Sequence, residues 1–414
     1  MAEPEPNKEA RGMPDGRALF QRVCCREHTR VGFGWSFAKD AEEAGAQAAK
    51  QAVASMGTPG LAIAYCTAGY DARALLNGLN QALPGVPVLG GTSMKGIATP
   101  EGFKSGNGGV VGVLALSSPA WRFQVAGAPL GGSPVEAGRI AAEHAKVNGR
   151  LPHAYLMAVT AGEEEAVLRG IARAAPAVPV IGGSAAFDSE PQCARVFSNA
   201  ESYQSGVVLA GILSELPLGC ATGCGYHASS KRGRVTRAEG RRIYEIDGRP
   251  AAEVYVEWAG FTSGAVTGTE LAVASVSMPL GHLDPASGFP IARHPVRIHE
   301  DGSLSTGAIS QTGEELILLH ATVDDLLAEV GRVVRTAMSR AGLRKGEVSA
   351  VYLVHCAGRL GYILPRADEI TRQIVEAAGQ VPFLGHFSFG EQGYLTSRVN
   401  AHGNLLLSAL VLGT

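Results

Sequence analysis

Aromatic side chains make up only 6% of this 414-residue sequence, and no apolar stretch reaches the roughly 18 residues of a membrane-spanning helix. That pattern excludes membrane insertion through helices. A dominant charge is missing too. The 36 Lys and Arg stand against 38 Asp and Glu, a net charge of −2, so no long-range field draws in nucleic acid or an anionic membrane surface. Cysteine offers no disulfide framework. The seven are Cys24, Cys25, Cys66, Cys193, Cys220, Cys224 and Cys356, an odd number without regular spacing in a chain large enough to fold unbridged. A soluble protein of the reducing cytoplasm fits best. Common enzyme signatures are lacking as well: there is no dinucleotide-binding glycine motif, no Walker loop and no zincin motif. The run from His386 to Gly390 lacks the first glycine of a nucleophile elbow, which disfavours Ser388 as a hydrolase nucleophile.

What is abundant is glycine, 54 residues, in a chain that is 46% hydrophobic and so able to bury a sizeable core. Residues 1–27 begin with a charged, Pro- and Gly-containing stretch and read as a disordered tail. Beyond it a pattern recurs three times. Apolar runs that read as buried strands, Leu61 to Cys66, Ala154 to Val159 and Val351 to His355, lead into the triplets Thr67-Ala68-Gly69, Thr160-Ala161-Gly162 and Cys356-Ala357-Gly358. Helix-like stretches follow. Each copy then has a second strand, Pro87 to Gly91, Pro179 to Gly183 and Pro382 to His386, at the spacing of a βαβ crossover. A third buried strand closes each copy: Gly109 to Leu116, Gly206 to Leu213 and Asn404 to Leu412. Upstream, Arg30 to Trp35 reads as a strand leading through Asp40 into an alanine-rich helix, Ala41 to Ala54. Gln124 to Ala145 and Thr312 to Ala341 are expected to repeat that helix.

Residues Gly219 to Ile298 interrupt the pattern. Alternation over Arg234–Arg237 and Arg242–Ile246, with a turn at Asp247-Gly248, signals a β-hairpin, and Pro250 to Trp258 reads as a short helix. The expected class is α/β: repeated βαβ-type modules forming two mixed-sheet domains with helices packed on them. The expected domains are 28–217, holding two copies, and 218–414, holding the hairpin insertion and the third copy.

Several segments, in this order, carry a resemblance. They are Gly34-Trp35-Ser36, Tyr70-Asp71, Pro84 to Ser93 with Gly96, Gly223-Cys224, Val235-Thr236, Ile243 to Ala251, and Phe387 to Glu391. Together they resemble the FIST family of sensory proteins across nearly the whole chain. The resemblance implies a FIST N-terminal domain followed by a FIST C-terminal domain. It further implies a small ligand, amino-acid-like compounds among them, or a haem that senses nitric oxide and signals to a histidine kinase. This chain departs from the family pattern at Gly225-Tyr226 after Cys224 and over Asn400 to Asn404, so ligand identity does not carry over. With no output domain of its own, it is expected to signal through a separate partner.

Ligands of α/β sheets bind at the carboxyl ends of the strands. Gly90, Gly91, Thr92 and Ser93, with Gly182, Gly183 and Ser184, are therefore candidates for holding a ligand carboxylate on backbone N–H groups, against the plainer reading of turn glycines. His386 stands where the first two copies have Gly91 and Gly183. With His355 and Cys356 it makes a candidate haem or metal set, the alternative being core histidines and a small buried thiol. Cys224 is a candidate reactive or ligand-contacting thiol. Tyr70, Gly390 and Glu391 are candidate ligand contacts, with Asp71 beside Tyr70. The leading function is small-ligand sensing; an enzyme using Cys224 or the His355, Cys356 and His386 region is the alternative, and a scaffold without ligand a third.

Overall fold

The computed structural model describes residues 28–199, 201–262 and 268–414; the expected tail at 1–27 lies outside them, Cys24 and Cys25 included. One order of elements runs through the chain three times. The first unit comprises β1 (Arg30–Ser36), α1 (Ala41–Ala52), β2 (Leu61–Thr67), α2 (Ala72–Ala82), β3 (Val88–Ser93), a hairpin β4 (Ile97–Thr99) and β5 (Gly102–Lys104), and β6 (Val111–Ser117). The second comprises β7 (Trp121–Pro129), α3 (Pro134–His144), β8 (Ala154–Val159), α4 (Glu164–Ala174), β9 (Val180–Ser184), a hairpin β10 (Val196–Ser198) and β11 (Glu201–Tyr203), and β12 (Gly206–Ser214). The third opens with β13 (Leu218–Gly223) and is then split by an insertion. The insertion holds the strands β14 (His227–Glu239), β15 (Arg242–Ile246), β16 (Arg249–Pro250), β17 (Leu280–Leu283), β18 (Pro290–Arg293), β19 (Pro295–Ile298), β20 (Leu304–Thr306) and β21 (Glu315–His320). Two helices, α5 (Ala251–Ala259) and α6 (Gly268–Ala274), interrupt them. The third unit then resumes with α7 (Val323–Arg340), β22 (Val348–Cys356), α8 (Ala357–Ile363), α9 (Asp368–Ala378), β23 (Phe383–Ser388), a hairpin β24 (Glu391–Tyr394) and β25 (Asn400–Gly403), and β26 (Leu407–Gly413).

Helix starts follow from local chemistry. Asp40 accepts from the backbone N–H of Glu43, Asp71 from that of Ala74 and Ser133 from that of Glu136, each satisfying a donor that a helix leaves unpaired. Thr322 and Asp325 close a reciprocal capping box on α7. Two expected helices are shorter than the sequence pattern suggested. Residues Trp121–Pro129 form β7, paired along its full length with β12, and Glu315–His320 form β21. In both places strand pairing won over the helical reading, since these segments have neighbours to pair with and lie ahead of the capping residues Ser133 and Thr322.

Each unit builds four strands of a six-stranded mixed sheet and gives its hairpin away. The orders are β1-β6-β2-β3-β10-β11, β25-β24-β9-β8-β12-β7 and β13-β26-β22-β23-β4-β5. The first unit's hairpin thus completes the third unit's sheet, the second's completes the first's, and the third's completes the second's. The exchange closes a three-membered ring. The pleat sends alternate side chains to opposite faces. Leu61, Ile63 and Tyr65 of β2, Leu156 and Ala158 of β8, and Tyr352 and Val354 of β22 therefore meet in one shared interior core. The intervening residues Ala62, Ala64, Met157, Val351 and Leu353 pack outward in three separate layers. In those layers the first two units place their helices, and the third adds part of its insertion. Among the described residues no helix is long and apolar enough to cross a membrane.

Candidate functional site

The hairpin exchange decides the fate of the strand-end glycines. Gly90 and Gly91 pair with Phe197 and Val196 of β10, and Gly182 and Gly183 pair with Gln392 and Glu391 of β24. Backbone groups expected to hold a ligand carboxylate are spent on these ladders. Space is absent as well. A Cβ on Gly90 would stand 1.9 Å from the Ala64 carbonyl oxygen, and one on Gly183 would meet Ser388, Val354 and His386 at 2.6–2.9 Å. Glycine is required here for close packing of one unit on the next. The neighbouring hydroxyls are engaged too. Thr92 accepts from the Arg195 N–H, Ser93 donates to the Gly96 carbonyl and accepts from Phe387 N–H, and Ser184 donates to Glu164.

His355 and His386 lie on opposite faces of one sheet. In the parallel register His355 is level with Phe387 and His386 with Val354, so the pleat separates the imidazoles. His386 stacks on Tyr65 in the shared interior, while His355 packs against Phe387 on the outer side and donates Nδ1–H to the Cys356 carbonyl. Burial lowers both pKa values to about 3, keeping the rings neutral. These residues do not fit a haem or metal held by a pair of histidines, because each ring is enclosed by side chains of its own layer. Cys224 is buried, its thiol pushed up to about 11 by desolvation, and its sulfur accepts from the Tyr226 N–H. A thiol in that state is a poor nucleophile. Tyr70 donates its hydroxyl to the Ala38 carbonyl and ties the first unit together. A Cβ on Gly390 would stand 2.4 Å from the His402 ring.

The third unit's strand ends are different, because the insertion roofs them. Between the insertion and α8 lies a cavity of about 470 Å³. Its walls are mostly apolar, with Val276, Val296, Tyr362 and Phe389 among them, and its polar residues include Lys95, His294, Cys356 and Asn404. No aspartate or glutamate lines it among the described residues. Cys356 is the member of the His355, Cys356 and His386 set that faces this space. Behind it Glu391 is wholly buried, accepting from Ser388 Oγ at 2.8 Å and from the Leu406 N–H at 3.0 Å. Burial pushes its carboxyl up to about 8, so it is largely protonated at neutral pH.

Two residues outside the expected set shape this region. Arg359 is fully buried and donates to the carbonyls of Cys224, Leu405 and Leu326, pinning β13's exit, β26's entry and α7 together. Its place in the repeat was a signal, since it follows the third triplet where Tyr70 and Glu163 follow the first two. Lys95 gave no such signal. It belongs to the turn between β3 and β4 of the first unit, and the exchanged hairpin carries it onto the third.

This architecture of exchanged units with an insertion in the last has a family to match. A FIST N domain matches residues 60–249 and a FIST C domain residues 251–394. The chain belongs to the FIST family. FIST domains are signalling sensory domains, and in this chain the two matches meet within the insertion. An 80-residue stretch is 34% identical to an uncharacterized protein of Methanocaldococcus jannaschii, covering 19% of this FIST chain and 16% of that protein's length. Among solved structures, cyanuric acid hydrolase from A. caulinodans is 11% identical with a TM-score of 0.37, covering 93% of this chain and 100% of that one. A chorismatase is 11% identical with a TM-score of 0.34, covering 93% and 98%. Neither likeness is close enough to carry a functional argument.

Proposed function

We propose that this FIST protein is a sensor whose ligand occupies the cavity between the insertion and the third unit's strand ends. One observation carries the reading: the space has apolar walls and a single cation, Lys95, with no carboxylate facing it among the described residues. Such a site suits a small organic anion with an apolar body, held by charge at one end and by desolvation along the rest. A zwitterionic amino acid fits less well, since its ammonium group would find no counter-charge and would lose its hydration on entry. The cavity walls come from the first unit, the insertion and the third unit, so occupancy bears on how the three sit together. A separate signalling protein, of the histidine-kinase class in the reading the family suggests, would sense that arrangement in the cytoplasm.

Thermal unfolding with a series of aliphatic and aromatic monocarboxylates, each beside its amide and its α-amino acid, tests this. Carboxylates should raise the melting temperature, their amides should not, and Lys95→Gln should abolish the difference. Equal stabilisation by acid and amide, or a shift that Lys95→Gln leaves intact, would reject the anion reading.

A further inference from the structure

The second unit's strand end carries an arrangement of another kind. Glu164 and Glu165 begin α4, and His402 comes from β25 of the third unit's exchanged hairpin. One atom from each carboxylate and one ring nitrogen of His402 lie within 4.8 Å of one another. Arg241, in the β14–β15 turn, accounts for the acidic pair: its Nη2 lies 2.6 Å from Glu164 and 2.8 Å from Glu165. It does not account for the histidine. His402 is only 7% exposed, its Nδ1 lies 3.1 Å from the Gln392 amide nitrogen, and its buried Nε2 has no hydrogen-bond partner. The Gln392 Oε1 is buried and unpartnered too. For Nε2 to take a metal, Nδ1 must carry the proton, and Gln392, whose amide nitrogen also donates to the Gly390 carbonyl at 3.1 Å and the Ser184 hydroxyl at 3.3 Å, must swing aside from the ring.

We propose that Glu164, Glu165 and His402 form a binding site for a divalent transition metal, and that Arg241 stands in for the cation when the metal is not bound. Two carboxylates and an imidazole suit Zn²⁺ or Mn²⁺; Mg²⁺ and Ca²⁺ favour all-oxygen sets. Glu165 and His402 both line an open groove of about 480 Å³, which supplies an entry path. Arg241 sits on a two-residue turn with Gly240 and is partly exposed, so it can withdraw without unpacking a core.

The test is isothermal titration of the chelator-treated full chain with Zn²⁺, with Mg²⁺ as the contrast. A single Zn²⁺ per chain is expected. His402→Ala and Glu165→Gln should each weaken it about tenfold or more, the scale of losing a ligand or its support. Arg241→Ala, which removes the competing cation, should strengthen it. A purely structural salt bridge predicts the opposite, since losing Arg241 would then loosen the site. Arg241→Gln serves if the alanine variant is not folded by circular dichroism. Absence of a one-site isotherm in both the wild type and a folded Arg241 variant overturns the proposal, as does Zn²⁺ binding that His402→Ala leaves unchanged.

Discussion

The imidazole of His386 lies flat on the phenol ring of Tyr65, with centroids 3.6 Å apart and planes within 8° of each other. The two residues belong to different units, and Tyr65 also shares a 2.9 Å hydroxyl contact with Tyr352. His386 thus works as an aromatic plate at the centre of the ring of units. Both its ring nitrogens are unpartnered, so their polarity contributes nothing to the packing. Replacing His386 by Phe should change stability by no more than about 1 kcal/mol, whereas His386→Ala should cost about 2–4 kcal/mol through the void it leaves. Urea denaturation reads both. The acid limb adds a sign. With a folded pKa near 3 against 6.5 unfolded, the unfolded chain takes up the proton first, so stability falls as pH drops from 6.5 toward 3. His386→Phe should flatten that decline; an unaltered acid limb would contradict the burial argument.

Glu391 predicts the opposite pH dependence. Its folded pKa of about 8 lies above the ordinary carboxyl value of 4.5, so the native state holds a proton that the unfolded state releases. Its contribution is complete below about pH 4.5 and is lost as pH rises through 8. Glu391→Gln keeps the shape without the ionisation. The variant should gain on the wild type by more than about 1 kcal/mol between pH 5 and 9, measured by denaturant midpoints at constant ionic strength. A constant gap across that range would mean that the carboxyl is ionised throughout.

The packing role of the strand-end glycines separates from any role in binding. Gly183→Ala forces a methyl group to within 2.6–2.9 Å of three side chains and should cost about 1–3 kcal/mol or prevent folding. Gly361→Ala is the control. A Cβ there meets nothing within 4 Å and the position is helical, so it should stabilise by up to about 1 kcal/mol.

Gly361 also lines the cavity, and its open surroundings allow a larger side chain to be directed into it. Gly361→Phe should leave the far-ultraviolet circular dichroism unchanged while cutting monocarboxylate affinity at least about tenfold, the loss expected when a ligand's apolar contacts are replaced in advance. Full affinity in a folded Gly361→Phe protein would place the ligand elsewhere.

How much of this was legible in the sequence differs from residue to residue. Apolar runs such as Leu61–Thr67 are strands buried on both faces. Asp40 marks the start of α1 as its side chain suggested, whereas Asp71, placed among the candidate ligand contacts, caps α2. The separation of His355 from His386 was also present in principle. Setting β22 beside β23 in parallel register puts those two residues on opposite pleats, although both sit near the strand ends. The glycine pairs were visible, yet their partners were not. Gly91 pairs with Val196, and nothing in either segment spells that edge-to-edge match.

By itself the sequence determined which segments become strands and helices, because apolar periodicity and helix capping are properties of neighbouring residues. Only the tertiary structure decided that each unit's hairpin completes another unit's sheet. Backbone edges carry no residue code, and their pairing is chosen by what the whole chain can bury. That choice closed the glycine sites, brought Lys95 across to the third unit's cavity, and set His402 beside Glu164 and Glu165.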